Sequence, residues 1–172
     1  MVVNELHPED ARALARRYAH DAQVRVLSID GWVALKAMLP PMERRGITLI
    51  DPPFEERGEF DRLAAALIEA HRRFASGTVM LWYPIKDMVA VAAFSRKVAA
   101  CGLEKILAVE IRVRRPATSQ VLAGAGFVTH TPPYGLVERL EAMMPFLAAI
   151  LALDGAGEWR ISWLAEERLR QS

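Results

Sequence analysis

Hydrophobic positions along the chain alternate between two periods. Short apolar runs bounded by glycine, proline or an acid occur at 1–4, 24–29, 47–50, 78–83, 106–113, 127–131 and 159–164. Their length and β-branched content predict strands. Between them, apolar residues recur at steps of three and four. Ala11, Leu14, Ala15 and Tyr18 follow Pro8, which suits the first turn of a helix. A short helix through Trp32, Leu35 and Met38 is expected to stop before Pro40-Pro41. Phe60, Leu63, Ala64, Leu67 and His71 mark an amphipathic helix over 59–74, and further helices are predicted over 89–100 and 136–151. With no long linker, repeat or low-complexity segment, the alternation predicts a single α/β unit over 1–172 with a largely parallel sheet.

Composition narrows the class without naming a function. With 172 residues, 52% of them hydrophobic and 25% charged, the chain can bury a sizeable core. No apolar run approaches the roughly 18 residues of a membrane helix. The N-terminus lacks a basic region followed by an apolar stretch and a cleavage site, so a cytoplasmic protein without a membrane partner is expected. Cys101 is the single cysteine, which excludes an internal disulfide and a cysteine-based zinc cluster. His7, His20, His71 and His130 show no metal-ligand spacing, and no metal is expected. A net charge of +1 gives no general affinity for nucleic acid, but Arg16-Arg17, Arg44-Arg45, Arg72-Arg73 and the group Arg112, Arg114, Arg115 could contact phosphates if they share a face. Otherwise they are solvated helix faces and loop ends.

Candidate chemistry sits where strands end. Glu5, Asp30 and Asp51 each follow one of the first three strands, and an open parallel sheet binds ligands beyond its carboxyl ends. An acceptor after the second strand of a nucleotide fold can hold both hydroxyls of a ribose, and one after the third can hold an adenine amino group; Glu5 and Asp30 are the candidates for these two roles. The bland alternative is that such acids are turn residues or helix caps. Asp51 is followed by Pro52, Pro53 and Phe54. The prolines fix their own φ and bias the residue before each towards extended backbone. An aromatic ring beside a carboxylate suits a flat base bearing an exocyclic amine. Trp82 and Tyr83, ending the next strand, are candidates for a second pocket wall, and Lys86 for a phosphate contact. Pro132-Pro133-Tyr134 lacks a preceding acid and reads as a turn near the same edge, and Gly124-Ala125-Gly126 as a turn before a late strand.

Asp51-Pro52-Pro53-Phe54 resembles the catalytic motif of amino-group methyltransferases acting on adenine. A wider set resembles the RlmJ-type ribosomal RNA methyltransferases: Asn4-Glu5-Leu6-His7-Pro8, Asp30-Gly31-Trp32, Leu39-Pro40-Pro41, Arg44-Arg45-Gly46, Leu49 to Glu55, Arg73 to Gly77, Leu81 to Ile85, Gly126 and Pro132-Pro133. The resemblance implies a class I S-adenosylmethionine-dependent methyltransferase, Rossmann-like in its sheet. Its donor would be S-adenosylmethionine, and its acceptor an adenine N6 in an unpaired or loop region of large-subunit rRNA. It further implies catalytic roles for Asp51, Pro52, Pro53 and Phe54 and cofactor contacts from Glu5, Asp30 and Gly31. Such enzymes open with a strand and a glycine-bearing loop that have no counterpart early in this sequence. The chain is therefore expected to be a C-terminal portion lacking that first strand and loop, exposing apolar sheet edge and inclined to form a homodimer. Two alternatives are a non-catalytic nucleic-acid-binding domain and a DNA-directed protein, since some family members carry a label linking them to the use of external DNA.

Overall fold

A computed structural model describes residues 1–115, 121–153, 155 and 157–167. The chain divides into two compact units, Met1–Met42 and Glu43–Ser172. In the first, β1 (Val2–Asn4) and β2 (Arg25–Leu27) form a parallel pair, with α1 (Pro8–Arg17) connecting them and α2 (Gly31–Met38) following. Pro8 stands at the start of α1, where its missing N–H has no helical partner to lose. Acids in the first turn and arginines in the last complement the helix dipole.

The second unit is a five-stranded sheet in the order β3-β4-β6-β5-β7. Its strands are β3 (Ile47–Ile50), β4 (Thr78–Ile85), β5 (Ile106–Arg112), β6 (Gly124–His130) and β7 (Glu158–Ala165). Helices α3 (Glu59–Arg73), α4 (Met88–Ala99) and α5 (Leu136–Leu151) complete it. Only β3 and β4 pair in parallel here, whereas β4 with β6, β5 with β6 and β5 with β7 are antiparallel. The expected largely parallel sheet is thus corrected. Periodicity identifies strands but carries nothing about which neighbour each one finds.

The core lies along β4. Val79, Leu81, Tyr83 and Ile85 alternate on one face and are wholly buried, as are Leu63 and Leu67 of α3 and Val98 of α4. Each such aliphatic side chain contributes about 1.5–3 kcal/mol on leaving water. Pro84 lies inside β4 rather than closing it. Pairing with β3 ends at Leu81, so one side of β4 is open by Pro84, where an absent N–H is tolerated. The outer strand β3 leaves Ile47 and Leu49 exposed, at 66% and 60%. This is an apolar edge strand without the charges that commonly protect one.

Gly124 and Gly126 belong to β6 and form no turn. A Cβ on Gly126 would stand 2.3 Å from the ring of Tyr83. The gap lets that ring cross the sheet and its hydroxyl donate to Glu110 Oε1 of β5 at 2.9 Å. Burial first, and then the neighbouring carboxylate, push the phenol's pKa far above its ordinary value. Tyr83 is therefore a buried tie between β4 and β5.

At the far end of β4, His71 Nδ1 lies 2.8 Å from His130 Nε2, and His130 Nδ1 lies 3.0 Å from the Glu104 carbonyl. A carbonyl only accepts, so His130 donates from Nδ1 and its Nε2 must accept from His71. Burial and then His71 lower the His130 pKa. Below the ordinary value of 6.5 the unfolded chain binds the proton more readily, so stability falls with pH from there down to the depressed folded pKa. Chemical denaturation between pH 7 and 5 is expected to show this loss, with a shallower slope in His130→Asn; equal slopes would contradict the pairing.

Candidate active site

In the unit Met1–Met42, Asn4 organises the ends of the parallel pair. Its Nδ2 donates to the Ile29 carbonyl at 2.9 Å and its Oδ1 accepts from Ile29 N–H at 3.3 Å, extending the ladder beyond β2. Glu5 N–H also donates to the Leu27 carbonyl. Glu5 and Asp30 are thereby brought to the carboxyl ends of adjacent parallel strands. Glu5 Oε1 accepts from His7 N–H at 2.7 Å. Asp30 caps α2, its Oδ1 accepting from Trp32 and Val33 N–H at 2.8 and 3.0 Å. The capping role foreseen as the bland alternative is real, yet it uses one oxygen of two. A Cβ on Gly31 would meet only Asn4 Nδ2, at 3.9 Å, so the backbone there is open to approach. Sequence reading gave Asn4 no role of its own. A polar amide ending an apolar strand was the available signal.

In the unit Glu43–Ser172, β3 delivers Asp51, Pro52, Pro53 and Phe54 to its carboxyl end. Asp51 is exposed and Pro52 buried. Partial desolvation raises the Asp51 pKa above its ordinary value although solvent still reaches the carboxyl. Phe54 has φ +55°, a left-handed conformation unusual for a bulky residue and worth about 1–3 kcal/mol of strain. Two ring contacts oppose that strain. Phe54 meets Phe60 at 5.1 Å and Trp82 at 5.9 Å between centroids, with interplanar angles of 65° and 71°. Edge-to-face pairs contribute about 0.5–1.5 kcal/mol each, so together they match the strain in size. Neither is a parallel stack, and Phe54 remains half-buried.

Trp82 thus joins the site, while Tyr83, its candidate companion, faces the core. Alternation along a strand puts neighbouring residues on opposite faces, so only one of the two could serve. Phe60 went unrecognised as a support for the motif, being read as one apolar position of a helix. Arg62 of α3 donates to Glu56 and Glu59 at 2.9 and 3.0 Å, holding the segment that follows Phe54 against the helix start. Pro132-Pro133-Tyr134 is not near this edge. Because β6 runs antiparallel to β4, with His130 opposite Val79, its carboxyl end lies at the start of β4.

The strain at Phe54 has a measurable signature. Phe54→Ala is expected to lose about 1–3 kcal/mol with its two ring contacts, while Phe54→Gly, free of the left-handed penalty, should be at least as stable in denaturant titration. An alanine variant clearly more stable than the glycine variant would contradict the backbone assignment.

The family described as "Ribosomal RNA large subunit methyltransferase D, RlmJ" matches residues 1–165. Proteins named ribosomal RNA large subunit methyltransferase J from Haemophilus influenzae and Escherichia coli are 34% and 33% identical, each over 96% of this chain. The chain spans 59% of the length of each. A crystal structure of a protein from Legionella pneumophila superposes with a TM-score of 0.85 at 26% identity, over 94% of this chain and 60% of that one. The chain belongs to the RlmJ family of ribosomal RNA large subunit methyltransferases.

Proposed function

We propose that this chain carries the base-binding and amine-activating residues of an S-adenosylmethionine-dependent adenine-N6 methyltransferase acting on large-subunit ribosomal RNA, together with a strand pair that holds the cofactor's nucleoside. The observation that carries this reading is the end of β3, where a carboxylate of raised pKa precedes an aromatic ring held in a strained backbone by two other rings. A structural turn gains nothing from such strain. A base-binding site gains a fixed stacking surface beside a fixed acceptor.

The donor set in Met1–Met42 fits a nucleoside. Glu5 and Asp30 each keep one carboxylate oxygen beyond those engaged by backbone N–H groups, which suits Glu5 to the hydroxyls of a ribose and Asp30 to the amino group of the cofactor's adenine. Gly31 leaves room for close backbone approach. When bound, S-adenosylmethionine supplies the electrophilic methyl group. Asp51 and the Pro52 carbonyl accept the hydrogens of the adenine amino group, returning electron density to a nitrogen whose lone pair is delocalised into the ring. The raised pKa makes Asp51 a better proton acceptor than an ordinary exposed aspartate. Phe54 stacks on the base and fixes the direction of attack. Such access needs an adenine out of its helical stack, as in a loop or bulge.

The test places this chain in the Escherichia coli relative in exchange for the matching segment, and follows labelled methyl transfer to protein-free large-subunit rRNA. The chimaera is expected to transfer, Asp51→Asn to lose about 10²–10³-fold in kcat, and Asp30→Ala to weaken calorimetric cofactor binding. The acid limb of the pH profile should lie above the ordinary aspartate range, because Asp51 must be ionised to accept. A folded, cofactor-binding chimaera whose transfer is indifferent to Asp51→Asn would overturn the catalytic assignment.

A further inference from the structure

Three cations on the edge that carries Asp51 are used by nothing described so far. Because β6 is antiparallel to both β4 and β5, those two strands run in the same direction. Ile85 and Arg112 both pair with Gly124, so β4 and β5 end level with each other. Lys86 follows the first, and Arg114 and Arg115 the second. Two inter-strand spacings separate these ends, about 10 Å. Trp82, the ring in contact with Phe54, lies four residues before Lys86 on β4, or about 13 Å along the strand.

Among the described residues, the acids nearby are occupied. Asp87 caps α4, accepting from Val89 and Ala90 N–H at 2.8 and 3.3 Å. Glu158 is paired with Arg112. Lys86 and Arg115 are exposed. Neither they nor Arg114 form an ion pair with any described residue. Arg114 Nε is buried without a hydrogen-bond partner among the described residues, a donor whose desolvation nothing there offsets. The backbone that presents it is fixed: Val113 N–H donates to the Ala123 carbonyl, and its own carbonyl accepts from Leu153 N–H. A long donor without a partner among the described residues, on a rigid strand end and flanked by two cations that form no ion pair among those residues, is an anion-binding arrangement.

We propose that Lys86, Arg114 and Arg115 form a track for the backbone phosphates of the RNA strand that flanks the adenine seated at Asp51 and Phe54. The inference rests on the catalytic reading above and extends it to the surface that orients the substrate. Phosphate contacts position a strand without reading its sequence. Their role here is to hold the nucleotides beside the target while its base leaves the stack. Arg112, neutralised by Glu158, is outside the track.

The test measures binding of a large-subunit rRNA fragment to this chain by fluorescence anisotropy across a salt series. The Lys86→Gln/Arg114→Gln/Arg115→Gln variant is expected to bind at least tenfold more weakly, with the slope of log affinity against log salt reduced by about 2. Should the Arg114 substitution unfold the chain, the exposed pair Lys86→Gln/Arg115→Gln is expected to reduce it by about 1.4. Arg16→Gln/Arg17→Gln, equal in charge to that pair but on α1, should leave the slope near that of the unsubstituted chain. Equal slopes in the track and control variants, no salt-dependent binding by the unsubstituted chain, or a larger slope change with DNA of the same sequence would overturn the proposal. Asp51→Asn should leave the slope unchanged, so a track effect in this chain beside a chimaera whose methyl transfer is indifferent to Asp51→Asn refutes the catalytic reading alone. Transfer that survives loss of any track effect refutes the track alone.

Discussion

Phe54 is held in left-handed backbone by the rings of Phe60 and Trp82, and the geometry of the β3 strand end depends on that contact. A relaxed backbone at Phe54 would let the segment after Pro53 swing away, separating the ring from the carboxylate three residues earlier. The strain and the aromatic contacts are of similar size, so neither alone fixes the loop. The remaining margin comes from the sheet. β4 places Trp82, and α3, which packs against that strand and buries Leu63 and Leu67, places Phe60.

The position of β4 in turn depends on β6. Because β6 lies between β4 and β5 and opposes both, it aligns their carboxyl ends and brings the Lys86 and Arg112–Arg115 segments to the edge where Asp51 stands. Tyr83 locks this arrangement by reaching over Gly126 to Glu110, a part-buried bond whose phenol end is shielded from solvent. The same antiparallel pairing sends Thr131 to Tyr134 to the other edge, where the His71–His130 pair also lies. One strand direction therefore puts the Asp51 segment on one edge of the unit and the histidine pair on the other.

Much of this was legible in the sequence, for identifiable reasons. Ile47–Ile50 and Leu136–Leu151 match their expected ranges, since glycine, proline and acids bound them sharply. The motif at Asp51 stands out because its four residues are consecutive, and its place at the end of β3 follows from the strand pattern before it. Sheet direction could not, because β6 finds β4 and β5 through contacts far apart in sequence. That single unknown misplaced Pro132-Pro133 and made a strand containing Gly124 and Gly126 look like a turn. Gly126 is explained only by the Tyr83 ring, 43 positions earlier, which no local pattern reveals. Asp30 shows the complementary lesson: a sequence can supply a carboxylate at the right place while leaving open that the same group also caps a helix.

The proposed function seats an adenine base on Phe54 beside Trp82 at the carboxyl end of β3. The most direct measurement is of intermolecular nuclear Overhauser effects between the H2 and H8 protons of an isotope-labelled adenine in a short oligoribonucleotide and the aromatic protons of this chain. Contacts from the adenine to the Phe54 and Trp82 rings are expected. Contacts instead to Tyr134 or His71, at the opposite edge of the sheet, would contradict the account.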